Sequence, residues 1–474
     1  MTFAPPVGGR LVSDLQITKA WLVDPFADRE GPGELVVSDG ILEAVTWLEG
    51  DEAAGVDDGG VIVAPGFIDL HAHFREPGNE AAETVASGAA AAAHGGFTTV
   101  CLMANTDPPI DSAGALARER AVFDEAGSPI RLLPYGAATV GRAGEQLAEL
   151  GPLADGGAIG FSDDGAPIRS PAILGNALLY AAMHGLPVID HPEDLSLTNE
   201  AEANEGLVAT VLGLKGWPRA AETAAVARDL AVFADALRDD ARARLHLTHL
   251  SNAASLDLVR RAKADGLPVT CDVTPHHVAL TDEWLAGARR WAWEALTEDG
   301  WARDPWSDGA LVGAPYDTSL RVNPPLRSPG DAAACLAAIR DGTADAIATD
   351  HAPHNVVDKE VEFGQAAPGI SGIETALGLL LVAVEAGRLP LRRLIEALTS
   401  GPARVLGSLL GRDPGDLGFV EGRRADLVVF DRSETWRVEP GALLSRGKNS
   451  PLLGMELAGS VILTIADGRV AFEA

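Results

Sequence analysis

Residues 66–74 read Gly-Phe-Ile-Asp-Leu-His-Ala-His-Phe. An apolar run of this length is a β-strand, and because side chains two apart on a strand share a face, His71 and His73 leave its end together. Working outward, the same pattern recurs at Thr98–Met103, Ile130–Ala137, Ala158–Ser162, Pro187–His191, Leu245–Leu250, Pro268–Val273 and Ala344–Thr349. Ala/Leu-rich helical stretches separate these runs. Eight strands in strict β-then-α order predict an α/β fold, a (β/α)8 TIM-type barrel over residues 65–414.

The two chain ends read differently. Leu35 to Val45 is a pair of short apolar strands around Asp39-Gly40, and Val461 to Phe472 repeats the device at Asp467-Gly468. Asp-Gly between alternating apolar runs is a strong hairpin signal. One small β-sandwich-like domain is therefore expected from residues 1–64 and 415–474 together, with Asp426 to Phe430 as a further strand.

Composition narrows the function. With 37 Lys+Arg against 68 Asp+Glu the chain carries a net charge of −31, which repels phosphate backbones and speaks against nucleic acid as a partner. The apolar stretch Thr375–Val384 is far shorter than the roughly 20 residues of a membrane span, so no membrane association is expected. Met1 to Gln16 has no basic start followed by an apolar core, which argues against a secretory leader. Cys101, Cys271 and Cys335 are odd in number and widely spaced, as suits a reducing, cytoplasmic setting.

In a barrel of this kind chemistry sits where strands end. Six of the 11 histidines (71, 73, 191, 249, 351 and 354) fall at predicted strand ends, beside Asp163-Asp164, Asp190 and Asp350. Four histidines with two or three aspartates, from separate strands, can hold two divalent cations. The other histidines have plainer readings. His94 and His184 end helical stretches and would cap them; His246, three residues from His249, would lie on the opposite strand face against helices; His276 and His277, after the seventh strand, are expected to support the site or the loop structure ahead of ligating metal.

The runs PGFIDLHAHFREPG (65–78), GGFTTVCLMANT (95–106), FSDDG (161–165), HLTHLS (246–251), VTPHH (273–277), NPPLR (323–327) and ATDHAPH (348–354) together resemble a class I dihydroorotase of the amidohydrolase superfamily. The resemblance implies that His71 and His73 bind a first metal with Asp350, and His191 and His249 a second. An Asp of FSDDG would bridge them; either Asp163 or Asp164 could serve, and the family's spacing to the strand-five histidine selects Asp164. Two divalent metal ions are implied, zinc being the expected one. Arg75, Asn105, Asn323 and His354 would contact substrate, with backbone help at Pro368 and Gly369, and Asp350 would be the catalytic proton shuttle. The implied reaction is reversible cyclisation of N-carbamoyl-L-aspartate to L-dihydroorotate in pyrimidine synthesis. Arg75 also makes independent sense, since an anionic substrate of a −31 protein needs a fixed guanidinium.

Two departures from the family stand out. Pro192 follows His191 where relatives commonly have Cys, and an added segment within Leu285–Asp317 holds Trp291, Trp293, Trp301 and Trp306, with Trp284 at its edge. Packing of these rings inside the chain is the preferred expectation, ahead of packing on a partner. A homo-oligomer and an aspartate transcarbamoylase partner both stay open. A related cyclic amidase, a hydantoinase or allantoinase, is disfavoured because none of the five lysines (19, 215, 263, 359, 448) ends the fourth strand, where a carboxylated lysine would have to stand. A scaffold barrel without activity is disfavoured because every ligand position is filled.

Overall fold

Strand one of the barrel, Phe67–Ala72, pairs in parallel with Phe97–Leu102, which pairs with Arg131–Pro134. The computed structural model, which describes residues 8–307, 309–411 and 416–474, continues this ladder through Val188–Asp190, Leu245–Leu247, Thr270–Val273 and Ala346–Ile347, all parallel. The fourth strand is reduced to bridges from Phe161 to Gly136 on one side and Val188 on the other, and a bridge from Ala72 to His351 closes the ring. Eight positions thus make the predicted barrel. Closure also runs through fully buried Asp69, which accepts from Thr349 N at 2.9 Å, Thr349 Oγ1 at 2.5 Å and His71 N at 3.2 Å.

The barrel interior below the mouth is an apolar plug that includes Ile68, Leu70, Cys101, Met103, Leu133, Ile159, Ile189 and Ala348. Helices follow the strands and begin at polar caps: Thr84, Ser112, Ser170, Asn252 and Ser328 each accept from the backbone N–H three residues on, which satisfies a donor the helix cannot. The longest helix, Ala220–Asp239, buries Val226, Leu230 and Phe233 against the barrel.

Both chain ends enter one eight-stranded sheet ordered 10–11, 469–473, 456–466, 427–437, 61–65, 14–24, 29–38 and 41–47. Asp39-Gly40 and Asp467-Gly468 turn two of its hairpins with all four residues at positive φ, the type I′ geometry that Asp-Gly favours. Leu22, Leu35, Val63, Leu427 and Ile465 form its own core. Pro65 still pairs with Leu427, and barrel strand one begins two residues later; the Phe67 ring lies 5.7 Å from Phe97 and 6.5 Å from Phe430, joining the two units. The expected boundary between residues 414 and 415, and residues 1–7, lie outside the described residues. Among the described residues no helix is long and apolar enough to cross a membrane. All three cysteines are buried and unpaired.

Two expectations need correction. His246 does not face the helices: it pairs in register with Ile189 of the barrel plug and its ring meets Thr270 Oγ1 at 2.8 Å and Asp272 Oδ2 at 2.7 Å inside the barrel. The parity argument failed because His249 has φ +41, so the strand's alternation stops before it. His94 ends its helix but reaches Glu374 Oε1 at 2.7 Å instead of the helix carbonyls. His184 occupies the C-cap position, where its backbone N–H bonds Ala181 O and Ala182 O. In the added segment Trp284 is fully buried against Trp291, with Trp293 stacked beyond it and Trp306 packed on the same cluster; Trp301 alone is 76% exposed, so the packing expectation holds for four rings of the five.

Asp69→Ala would leave three donors at the barrel seam without an acceptor. At about 1–3 kcal/mol per unsatisfied buried group, the variant is expected to lose at least about 2 kcal/mol in urea unfolding. An unchanged midpoint would show that the seam does not depend on this carboxylate.

Candidate metal centre

Strict alternation from Ile68 and Leu70 in the plug would turn His71 away from the mouth. The pairing Asp69 to Val100 and Ala72 to Leu102 contains one extra residue in strand one, a β-bulge that resets the alternation. His71 and His73 therefore both enter the mouth, with their Nε2 atoms 3.2 Å apart. His249 and Asp350 reach the same space from residues at φ +41 and +48, a backbone region uncommon for side chains of this size. Asp164 follows the Phe161 bridge, and His191 the fifth strand.

The six groups form two sets that share Asp164. Its Oδ2 lies 3.0 Å from His71 Nε2 and 3.4 Å from His73 Nε2, while Asp350 Oδ1 is 3.2 Å from His73 Nε2. Its Oδ1 lies 3.1 Å from His249 Nε2 and 3.4 Å from His191 Nδ1, and those two nitrogens are 2.9 Å apart. All six residues are buried. Donor spacings near 3.2 Å suit a tetrahedral cation, whose ligands at about 2.0–2.1 Å define edges of roughly 3.3 Å. His71, His73 and Asp350 on one side, and His71, Asp164 and His249 on the other, bring their donor atoms within 4.8 Å of one another.

Which ring nitrogen carries the proton decides whether a metal fits. His71 Nδ1 lies 2.8 Å from Thr248 Oγ1, whose own hydrogen goes to Asp272 Oδ2 at 3.2 Å, so His71 Nδ1 must donate. His73 Nδ1 donates to Asn105 Oδ1 at 2.9 Å, and His191 Nε2 to Glu193 Oε2 at 2.9 Å. Three rings therefore aim bare lone pairs at the centre, an arrangement that only positive charge can satisfy. The residues fit a pair of divalent cations. The pKa shifts show the same demand: burial disfavours the imidazolium of His71, yet the Asp164 charge pushes it up to about 9, and Asp164 with Glu193 pushes His191 up to about 10. Burial likewise opposes ionisation of Asp350, but a hydrogen bond from His73 and the surrounding imidazoles hold its carboxyl below the usual range.

Beside the centre opens a cavity of about 310 Å³ that every expected substrate residue lines. Arg75 is anchored by its Nε to Pro353 O at 3.2 Å, and burial lowers its pKa only to about 10, so it stays cationic at neutral pH. His354 Nε2 donates to Pro368 O at 2.8 Å, which leaves Nδ1 as an acceptor; burial and Arg75 lower its pKa to about 3 and keep it neutral. Asn323 gives Nδ2 to Glu193 Oε2 at 3.2 Å, and its buried Oδ1 has no partner in the protein. Gly369 N is committed to Arg321 O at 2.8 Å, so the Pro368–Gly369 wall offers carbonyl oxygens and shape. Gly369 has φ +148, and a Cβ there would lie 2.6 Å from Ala352 O, so only glycine fits.

Of the two candidate aspartates, Asp164 enters the centre, whereas Asp163 turns away to accept from Thr139 N at 2.9 Å. The sequence reading missed Glu193, the Thr248–Asp272 pair and Arg142, which lines the cavity with its Nε on Asp163 O at 3.3 Å. Glu193 was within reach, since an acid two residues beyond a ligand on an extended segment shares its face. His277 proves structural, bonded to Thr274 Oγ1 and Pro324 O, while buried His276 Nε2 has no partner in the protein.

A closed parallel barrel with two shared His/Asp clusters at its mouth defines a metal-dependent amidohydrolase. Residues 59–254 match the family model for Dihydro-orotase-like proteins. The chain is 44% identical to a dihydroorotase of Anaeromyxobacter dehalogenans strain 2CP-1 over 95% of its own length and 96% of the relative's, and 41% identical to one of Geobacter sp. strain M21 over 97% and 100%. In fold it is similar to the L-hydantoinase (dihydropyrimidinase) of Arthrobacter aurescens, with a TM-score of 0.77 at 24% identity, covering 98% and 96% of the two chains. The chain belongs to the dihydroorotase family.

Glu193→Ala removes the acceptor that fixes the His191 tautomer. Loss of such a support typically costs about 10–100-fold in metal affinity, so the chelator concentration that strips half the metal is expected to fall by that factor. Unchanged retention would take Glu193 out of the centre.

Proposed function

We infer that the chain is a dihydroorotase that catalyses reversible hydrolysis of the L-dihydroorotate ring to N-carbamoyl-L-aspartate in pyrimidine synthesis. The observation that carries this reading is one cavity holding a half-buried cationic Arg75, a neutral His354 and the unpartnered Asn323 Oδ1 beside two His/Asp clusters. Arg75 takes the substrate carboxylate through its guanidinium fork. Asn105, whose Oδ1 is held by His73, turns its Nδ2 donors to the cavity, and Asn323 Oδ1 accepts a ring N–H.

His71, His73 and Asp350 would hold one divalent cation, His191 and His249 the second, with Asp164 between them. Zinc suits this nitrogen-rich set. When bound, the pair supplies Lewis acidity toward the ring carbonyl and lowers the pKa of water from 15.7 to about 7. Asp350, held ionised by its imidazole neighbours, takes the proton of the water that adds to the carbonyl and passes it to the ring nitrogen as the C–N bond breaks. Asp164 is anionic without modification, so the reading requires no carboxylated lysine: Lys263 meets Asp345, Lys215 meets Glu200, and Lys359 and Lys448 donate to backbone carbonyls.

The buried unpaired cysteines support a reducing, cytoplasmic setting. Self-association, or binding to an aspartate transcarbamoylase, is decided by sizing the protein alone and in mixture. The function itself is tested by following ring opening of dihydroorotate, hydantoin and allantoin with metal content measured on the same sample. Opening of hydantoin or allantoin in preference to dihydroorotate would overturn it.

Asp350→Asn is expected to cut turnover at least about a hundredfold, the usual contribution of a positioned proton-transfer group; near-normal turnover would exclude Asp350 as the shuttle. Arg75→Ala loses a charge-assisted contact of about 1.5–3 kcal/mol, or roughly ten- to a hundredfold in affinity. An unchanged KM in that variant would contradict the carboxylate assignment.

A further inference from the structure

The loop between strands 427–437 and 456–466 of the terminal sheet does not stay with that sheet. Residues 443–450 run to the barrel mouth and lie beneath the two segments that wall the cavity. Ser445 N and Leu444 N donate to Glu374 at 3.0 and 2.7 Å, Arg446 N donates to Glu83 Oε1 at 3.1 Å, and Ser445 Oγ bonds Glu83 as well. The backbone then passes so close to the catalytic loop that a Cβ on Gly447 would lie 2.6 Å from Pro353 Cβ and 2.8 Å from His354 N.

Asn449 follows at the point of closest approach. Its Oδ1 accepts from His354 N at 2.8 Å and lies 3.1 Å from Ser371 Oγ, whose hydrogen goes to Gly447 O at 2.7 Å, and its Nδ2 donates to Ala352 O at 3.1 Å and Gly369 O at 2.9 Å. Ser371 N returns a bond to Asn449 O at 3.1 Å. The partners fix the orientation of the amide, since only an oxygen can meet His354 N–H and only an NH2 can meet two carbonyls. Both amide hydrogens and a lone pair facing His354 N are used, on a residue only 6% exposed, so the bracket depends on an amide at this position.

We infer that Asn449 is a positioning residue for substrate binding, setting the distance between the His354 loop and the Pro368–Gly369 wall. No substrate contact is assigned to it; it acts through His354 and Gly369. The inference rests on the dihydroorotase reading of the cavity. It separates Asn449 from the metal ligands, to which the 443–450 segment makes no hydrogen bond.

The test compares wild type, Asn449→Ala and Asn449→Asp in three measurements: steady-state opening of dihydroorotate, the dissociation constant of orotate as a planar ring bearing the same carboxylate, and bound metal. In Asn449→Ala the KM for dihydroorotate and the orotate dissociation constant are expected to rise together by roughly ten- to a hundredfold. Turnover should stay within about threefold, and metal content should equal that of wild type. Asn449→Asp keeps the shape but sets a carboxylate oxygen against the carbonyls of Ala352 and Gly369. Protonation restores one donor, so its KM relative to wild type is expected to fall as the pH is lowered from about 8 toward 6. Unchanged KM and orotate affinity in Asn449→Ala, metal loss in step with activity, or failure of both variants to fold would each overturn the inference. Absence of dihydroorotate turnover in wild type would instead overturn the functional reading beneath it.

Discussion

Imidazole nitrogens aimed at one small, buried volume govern this molecule. Thr248, Asn105 and Glu193 take the protons from the far sides of His71, His73 and His191, so the near sides have nothing but lone pairs to present. The two oxygens of Asp164 add negative charge between them. Such a cluster demands positive charge at its centre, as the raised pKa values of His71 and His191 show, and the wider structure supplies the geometry that keeps its members from relaxing apart.

That geometry depends on three breaks in regular structure, all at the ends of barrel strands. The bulge between Asp69 and Ala72 turns His71 inward, and the left-handed residues His249 and Asp350 bring their side chains round from strands six and eight. Breaks of this kind cost energy. They persist because strands one and eight are locked together just below, at Asp69, Thr349 and the bridge from Ala72 to His351, and because Asp272 holds both Thr248 Oγ1 and His249 N.

Much of this was legible in the sequence because it is local. Eight apolar runs, the histidines at their ends and the two Asp-Gly turns each declare themselves within a dozen residues, and the family motifs carried the ligand set. What stayed hidden depends on contacts distant in the chain or on departures from ideal periodicity. His246 was misplaced because strand parity was carried past the point where φ changes sign. Asp272 reads as an ordinary strand residue until its partners at 246, 248 and 249 are seen, and Asn449, 95 residues from His354, looks like a loop residue in a β-domain. Trp301 shared a composition pattern with four buried tryptophans, and pattern alone cannot say which member of a cluster faces water.

The net charge of −31 conflicts with a doubly anionic product only if charge is averaged over the whole surface. Salt screens interactions beyond about 8–10 Å, so a bound substrate feels the groups around the 310 Å³ cavity and little else. There Arg75 and Arg142 bring two positive charges, and two divalent cations, when bound, would outweigh the carboxylates of Asp164 and Asp350. The acidic surface then acts on approach, where it slows the entry of anions in general, while under the proposed function the mouth would select the anion whose carboxylate reaches Arg75 as its ring reaches the metal centre. Selectivity in this reading comes from the contrast between a repelling exterior and a small cationic interior, which is why the walls of that interior must be held at a fixed distance.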